Sequence, residues 1–412
     1  MNRPRVAIGA DAISDLRSFC GEAGLRRLLV VADTNTHGVL GSAVEETLRG
    51  AGLDVRSVIL PGDEVVADAH TILQALLAFD RRDQALVAVG SGTITDVTRF
   101  VSHRVGVPFI SMPTAPSVDG FTSLGSPLIV RGIKTTALAH PPFAIFASLP
   151  VLASAPRRMI ASGFGDMLGK HTSVADWRLG ALLGDMPFDP GIADRCLGAV
   201  QSCEAAAADI ASASEQGVRR LLEGLLESGF CMLDFGSSLP ASGAEHHYSH
   251  FWEMKLLREG KPAILHGAKV GVATVFIAEL WERIRQTSQS MASRLLRESR
   301  RPSREEEMRR IRGAYGSMAE EVAATQAGFI GMSDEGWKRL KEKVLVRWAA
   351  IQEIARDVPS PRDIVQLLQL VGGPSSMHEL GLPDSDRDEA AHSAHYLRNH
   401  FTVSKLTRLL FR

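Results

Sequence analysis

Short apolar runs alternate with helix-spaced segments through residues 1–150, and then the alternation stops. Residues 6–8, 28–32, 55–60, 85–89 and 109–111 are short, apolar and rich in β-formers. Between several of them lie stretches with helical spacing. Residues 38–49 put Val39, Leu40, Val44 and Leu48 on one face, and residues 67–79 do the same with Ile72, Leu73, Leu76 and Leu77. Strand, helix and strand in that order make βαβ units, which need a parallel sheet covered by helices. Right-handed crossovers then leave the ligand position at the C-terminal ends of the strands.

Past Leu149 the strand-like runs give way to long helical stripes. One is Leu221, Leu222, Leu225 and Leu226; another is Val344, Leu345, Trp348, Ile351 and Ile354. Ser303 and Glu306 have the spacing of a capping box. The charged segment 294–312 interleaves its arginines with Glu305, Glu306 and Glu307, the pattern of a solvated helix pair. The expectation is therefore two domains. Residues 1–150 form an α/β dinucleotide-binding domain with a parallel sheet, and 151–412 an all-α domain that binds metal and substrate. A cleft between domains is the default ligand site.

Composition removes several function classes. Lys plus Arg is 46 and Asp plus Glu is 47, a net charge of −1. A sequence-independent nucleic-acid binder would carry a basic excess, so no nucleic-acid partner is expected. The four cysteines, Cys20, Cys196, Cys203 and Cys231, form no CxxC pair, which argues against a disulfide framework or zinc cluster and fits a reducing compartment. The first residues hold no apolar signal region, and the apolar stretch 270–278 is about half of the ~20 residues needed to span a bilayer. It reads as a buried helix. A cytoplasmic protein without a membrane partner is expected.

Three segments carry chemistry. Gly90-Ser91-Gly92-Thr93-Ile94-Thr95-Asp96 follows the strand ALVAV and opens a helix. Glycines let a phosphate approach the backbone, and a helix N-terminus offers amides and positive dipole. The segment is neither a P-loop nor GxGxxG. Pro113-Thr114-Ala115-Pro116-Ser117-Val118-Asp119-Gly120-Phe121-Thr122-Ser123 follows the next strand and gathers hydroxyls and one carboxylate on one loop. In Glu245-His246-His247-Tyr248-Ser249-His250, His246 and His250 share a helix face. His266 follows before another helix, and Asp166 stands in Gly163-Phe164-Gly165-Asp166, read as a glycine-hinged turn. One carboxylate and two imidazoles can bind a divalent ion and leave open positions for a substrate oxygen.

These blocks, GSGTITD, FISMPTAPSVDGFTS, LASAPRRMIASGFGDMLGKHTSVADWRL, SGAEHHYSHFWEM and LHGAKVGVAT, occur in this order. Together they resemble the sn-glycerol-1-phosphate dehydrogenase family, particularly its bacterial branch. That family sits in the superfamily of dehydroquinate synthase and the iron-containing alcohol dehydrogenases. The resemblance runs from about Leu28 to about Ala278. It implies a dehydroquinate synthase-like fold and a homodimer. Gly92, Thr93, Ile94, Thr95 and Asp96 would contact NAD(H) or NADP(H), and Thr114, Ala115, Pro116, Ser117 and Ser123 would hold it. Asp119 would touch the substrate. Asp166, His246 and His266 would hold one divalent metal, zinc or nickel, with Asp166 also near the substrate. His250 would face the substrate, and either His250 or a bound water would be the last proton donor.

Three departures stand out against that resemblance. Val118 replaces a histidine common in archaeal members, Ser148 an aspartate expected after its strand, and Arg99 a common lysine. The implied reaction is the NAD(P)H-dependent interconversion of glycerone phosphate, a small phosphorylated substrate, and sn-glycerol 1-phosphate. The rivals are a dehydrogenase of another polyol or sugar phosphate, a carbon–oxygen lyase of the dehydroquinate synthase type, and a catalytically dead relative with a regulatory or binding role. Cys196 and Cys203 read as buried thiols and His392, His395 and His400 as a surface or interface helix. His103 and His140 read as single histidines.

Overall fold

The structure, a computed structural model, describes residues 3–62, 64–130, 133–184 and 186–411. The chain forms two compact units. One comprises Met1–Met167 and Gln201–Ser237, the other Leu168–Val200 and Ser238–Arg412.

The first unit is built on a six-stranded parallel sheet. Its strands are β1 (Arg5–Gly9), β2 (Arg27–Asp33), β3 (Asp54–Leu60), β4 (Ala85–Val89), β5 (Phe109–Met112) and β8 (Ala144–Ser148). Their order is β1-β8-β5-β4-β2-β3. Alternation along each strand sends side chains to opposite faces. Leu28, Val30 and Ala32 join one core with the helices Ala12–Glu22 and Ser42–Gly50. Leu29 and Val31 join the other with Ala69–Ala78 and Gly92–Val105.

The five expected strands are all present, each within a residue or two of its expected ends. Two features were not expected. β8 is an apolar run, AIFAS, whose period alone does not separate strand from helix. β6 (Gly125–Val130) and β7 (Ile133–Leu138) form a separate antiparallel pair. Its second strand reads IKTTAL, too polar to announce itself. From β2 the chain moves outward to β3 on one side, and from β4 outward to β5 and β8 on the other. The topological switch point therefore lies between the ends of β2 and β4, where an open α/β sheet takes its ligand. Asp33 ends β2, and Gly90 directly follows β4.

Among its described residues the second unit holds no strand. Its main helices are Ala244–Arg258, His266–Gln286, Gln289–Glu298, Arg304–Tyr315, Asp334–Val346, Trp348–Asp357, Pro361–Val371 and Val403–Leu410. The capping box forms as expected: Ser303 Oγ accepts from Glu306 N at 3.1 Å, and Glu306 Oε2 accepts from Ser303 N at 2.8 Å. Residues 270–278 lie buried inside a helix, and no helix among the described residues is long and apolar enough to cross a membrane.

The expected single cut at residue 150 differs from this grouping, in which the chain passes between units three times. The helices Ala207–Ser212 and Glu215–Phe235 group with the sheet. Arg219 of the second helix donates to the Ile8 carbonyl of β1 at 2.8 Å, and Thr122 Oγ1 donates to the Leu226 carbonyl at 3.3 Å. The leucine stripe thus serves the α/β unit, which a change of secondary-structure type along the sequence does not reveal.

Candidate functional site

In the first unit, the Gly92–Val105 helix begins at the switch point. Its N-cap, Ser91, makes no side-chain cap hydrogen bond, so the capping side chain does not occupy the first-turn amides. Two glycines make the turn possible. A Cβ on Gly90 would sit 2.6 Å from Ile94 Cβ, and one on Gly92 would sit 3.2 Å from Val118 Cγ2. Ile94 is thereby committed to packing. Thr95 is buried, and its hydroxyl has no hydrogen-bond partner among the described residues. A dinucleotide phosphate would supply one, so the turn fits that group. Asp96 pairs with Arg99 at 3.0 Å. Burial outweighs that guanidinium and pushes the Asp96 carboxyl up to about 7. Arg99 itself is fully buried and donates to the carbonyls of Gly120, Phe121 and Gly125 at 2.6–2.9 Å. It ties the helix to the turn after the proline-rich loop.

The proline-rich loop is held by backbone contact. Thr114 N donates to the Gly90 carbonyl at 3.4 Å, and Ser162 Oγ to the Ser117 carbonyl at 3.2 Å. A Cβ on Gly163 would overlap the Pro116 carbonyl oxygen, and one on Gly229 would overlap Thr122 Oγ1. Those glycines let the helices Arg157–Gly184 and Glu215–Phe235 press onto the loop. Ala115 and Ser117 are buried, and the Ser123 hydroxyl donates to the Gly120 and Gly125 carbonyls at 3.2 Å. Ser228 Oγ donates to Asp119 Oδ2 at 2.8 Å, while Asp119 N donates to Asp166 Oδ2 at 3.0 Å. The two aspartates expected at the substrate are therefore neighbours.

Asp166 does not sit in a turn. It lies fully buried inside the continuous helix Arg157–Gly184. The glycines around it read as a hinge because Gly163 breaks the local helical preference, but its missing side chain serves the close approach to Pro116.

In the second unit, His246 and His250 share one face of Ala244–Arg258, and His266 opens the next helix. The His266 ring lies 5.3 Å from that of His246 and 5.4 Å from that of His250. Glu245, to which the sequence reading gave no role, is fully buried and holds His246: its Oε1 lies 2.7 Å from His246 Nδ1. Thr172 Oγ1 and Gly243 N also donate to Glu245 at 2.7 Å. Burial pushes the Glu245 carboxyl up, but the hydrogen bonds from His246, Thr172 and Gly243 outweigh it and hold the group below the usual range. A carboxylate accepting from Nδ1–H leaves Nε2 with a lone pair, the arrangement that supports a metal-ligating histidine. The donor set thus fits a divalent ion. The signal in the sequence was the Glu-His adjacency after a glycine.

His250 Nδ1 lies 3.3 Å from Glu253 Oε2, and Glu253 Oε1 lies 3.6 Å from the buried Lys269 ammonium. His250, Glu253 and His266 form a second group whose ligand atoms lie within 4.8 Å of one another. Glu253 is already paired with a cation, which makes that group the poorer seat for another.

The other histidines are arranged differently from expectation. His103 and His140 are neighbours, with ring centroids 5.4 Å apart. His395 is buried against Tyr396, His400 lies against His247, and His392 ends a helix, so the three do not form one surface. Cys196 and Cys203 are buried thiols, as expected.

Comparison with known proteins accords with this architecture. The iron-containing alcohol dehydrogenase family model matches residues 7–156. A glycerol-1-phosphate dehydrogenase [NAD(P)+] of Halalkalibacterium halodurans is 39% identical over 399 residues, covering 96% of this chain and 90% of the relative. One from Geobacillus stearothermophilus is 38% identical, covering 97% and 91%. An archaeal one, from Pyrococcus furiosus, is 36% identical but covers 71% of this chain and 84% of its own. Glycerol dehydrogenase from Schizosaccharomyces pombe shares the fold at 16% identity and a TM-score of 0.61, covering 99% of this chain and 88% of that one. NADH-dependent butanol dehydrogenase A from Thermotoga maritima does so at 14% identity and the same TM-score, covering 100% and 94%. The bacterial relatives match well beyond the stretch that carried the motifs, and with them the chain belongs to the glycerol-1-phosphate dehydrogenase family of the iron-containing alcohol dehydrogenases.

Proposed function

We propose that this enzyme interconverts glycerone phosphate and sn-glycerol 1-phosphate with NAD(H) or NADP(H) and one divalent cation. The observation that carries the reading is the buried Glu245–His246 pair, in a chain whose relatives bear that activity in their names. Asp166, His246 and His266 would hold the cation. Supporting that set, Asp166 precedes Gly169 by three residues on one helix. A Cβ on Gly169 would sit 2.8 Å from Val270 and 3.4 Å from Glu245, so this helix face runs close to both histidine-bearing helices. When bound, a divalent cation supplies Lewis-acid polarisation of the substrate carbonyl. Gly92–Asp96 and Thr114–Ser117, with Ser123, would hold the dinucleotide, which when bound would supply or take the hydride.

The chain's own residues do the positioning. Glu245 fixes the tautomer and ring of His246. Ser228 orients the Asp119 carboxylate toward the substrate, and the Asp119 amide steadies Asp166. His250, held through Nδ1 by Glu253, would donate the last proton from Nε2 in its imidazolium form, whose charge Glu253 answers. The cation is zinc or nickel, since one carboxylate and two imidazoles suit both. A cytoplasmic homodimer completes the reading, and sedimentation of the purified protein tests the dimer.

The deciding assay oxidises the two glycerol phosphate enantiomers and glycerol separately, with NAD+ and NADP+. The sn-1 enantiomer should exceed glycerol by at least about two orders of magnitude in kcat/KM, because a remote dianion orients the reacting carbon. Equal rates, or preference for the sn-3 enantiomer, would favour the general polyol dehydrogenase. Reaction without net change in the dinucleotide would favour the lyase.

A further inference from the structure

Within the second unit, basic side chains lie around His247, and the Asp176 carboxyl packed there is taken up by the Ala244 and Val403 amides at 2.8 and 2.7 Å. His247 is buried, and neither of its ring nitrogens has a hydrogen-bond partner among the described residues. Its ring lies 6.0 Å from that of His400. Burial, reinforced by Lys405 and Arg398, pushes His400 down to about 4. Lys405 Nζ donates to Gln326 Oε1 at 3.0 Å and to the Arg398 carbonyl at 3.5 Å. Glu307, which reaches this region from the Arg304–Tyr315 helix, is occupied by Arg408 at 2.7 Å and by the Tyr396 hydroxyl.

Burying unpaired donors and bases costs free energy unless a ligand completes them. Among bases, an anion would complete them best. Accessibility is graded for one: Arg398 is exposed, His400 half-buried and His247 buried. Position matters too. His247 and His250 are three residues apart on one helix, so their Cβ atoms are roughly 5–6 Å apart. A small molecule can therefore meet His250 with its reacting carbon and His247 with a group at its other end.

We infer that His247, Arg398 and His400 form the seat of the substrate's phosphate group, an inference that rests on the phosphorylated substrate proposed above. A phosphate dianion would accept from the imidazoles and from the guanidinium, whose planar fork suits it. Lys405 would act from behind, holding the Arg398 backbone in place through its carbonyl.

Two readouts on the cation-loaded full-length protein test this. The first is calorimetric titration with inorganic phosphate, which needs no turnover. The second is the ratio of kcat/KM for glycerone phosphate to that for dihydroxyacetone. His247 is buried and its replacement can disturb folding, so the variant is R398M combined with H400A, at the accessible end. Phosphate affinity and the kcat/KM ratio should each fall at least about tenfold, the scale of one charge-assisted hydrogen bond. Arg398→Lys should lose less than Arg398→Met. An unchanged phosphate affinity or an unchanged ratio in the double variant overturns the inference. If wild-type protein fails to reduce glycerone phosphate, the proposed function fails, and the phosphate titration still reads this site by itself.

Discussion

The proline-rich loop of the first unit and the histidine helix of the second are held by different forces. Around the loop the contacts are steric. Gly163 and Gly229 allow two helices to press on Pro116 and Thr122, and Gly90 and Gly92 shape the neighbouring turn. Around the histidine helix the contacts are polar. Glu245 takes hydrogen bonds from Thr172, Gly243 and His246, and Asp176 takes them from Ala244 N and Val403 N at 2.7–2.8 Å. A dinucleotide needs a backbone surface of fixed shape, whereas a cation needs side chains of fixed charge and tautomer. The two regions are built accordingly, and each should fail in its own way when altered.

The largest effects should come from the cation side. Asp166→Asn and His266→Ala should each remove most of the bound metal and at least about 3 kcal/mol of transition-state stabilisation, on the scale of a principal electrostatic group. His250→Ala should keep the metal and lower kcat by about 10²–10⁴-fold, as loss of a proton donor does. Metal content and steady-state kinetics separate the three. A His250 variant without metal beside a His246 variant that keeps it would transfer the ligand role to the group containing Glu253.

On the steric side, Gly163→Ala should destabilise the protein by about 1–3 kcal/mol through overpacking against a backbone carbonyl, despite alanine's better helix propensity. It should also weaken dinucleotide binding while leaving the affinity for the cation near that of the wild type. Thermal unfolding with NADH and metal titrations checks both. Glu245→Gln should do the reverse. Losing the charge behind His246 should lower metal affinity by about 10–100-fold, with dinucleotide affinity unchanged.

A further effect is one of pH. The Asp96 carboxyl, raised to about 7 by burial, binds a proton more readily folded than unfolded. Its contribution to stability is therefore full below the unfolded value near ~4 and is lost as pH rises through about 7. The stability difference between wild type and Asp96→Asn should fall across that window in denaturant melts. A difference that grows with pH would place Asp96 as a simple ion-paired carboxylate.

The two regions also differed in how far the sequence disclosed them. Strands such as ALVAV announce themselves because an inner strand is apolar throughout, and the glycine turn after β4 follows from that assignment. IKTTAL gave no such notice, being a polar strand in a separate pair. The histidines were visible as residue types, but Glu245 was not, since a buried carboxylate reads like a surface one until its donors are known. Gly163 was misread as a hinge for the same reason: its partner, Pro116, is 47 positions away. Local pattern reveals elements, whereas contacts distant in sequence decide what a given glycine or glutamate is for.

If shape holds the dinucleotide and charge holds the cation, the two functions should come apart on chelation. NADH binding, followed by its fluorescence on protein stripped of metal and dialysed, should keep the dissociation constant of the loaded enzyme. Reduction of glycerone phosphate by the same sample should be abolished and should return with one divalent cation. Turnover surviving in rigorously metal-free protein, or NADH binding lost along with the metal, would contradict the account.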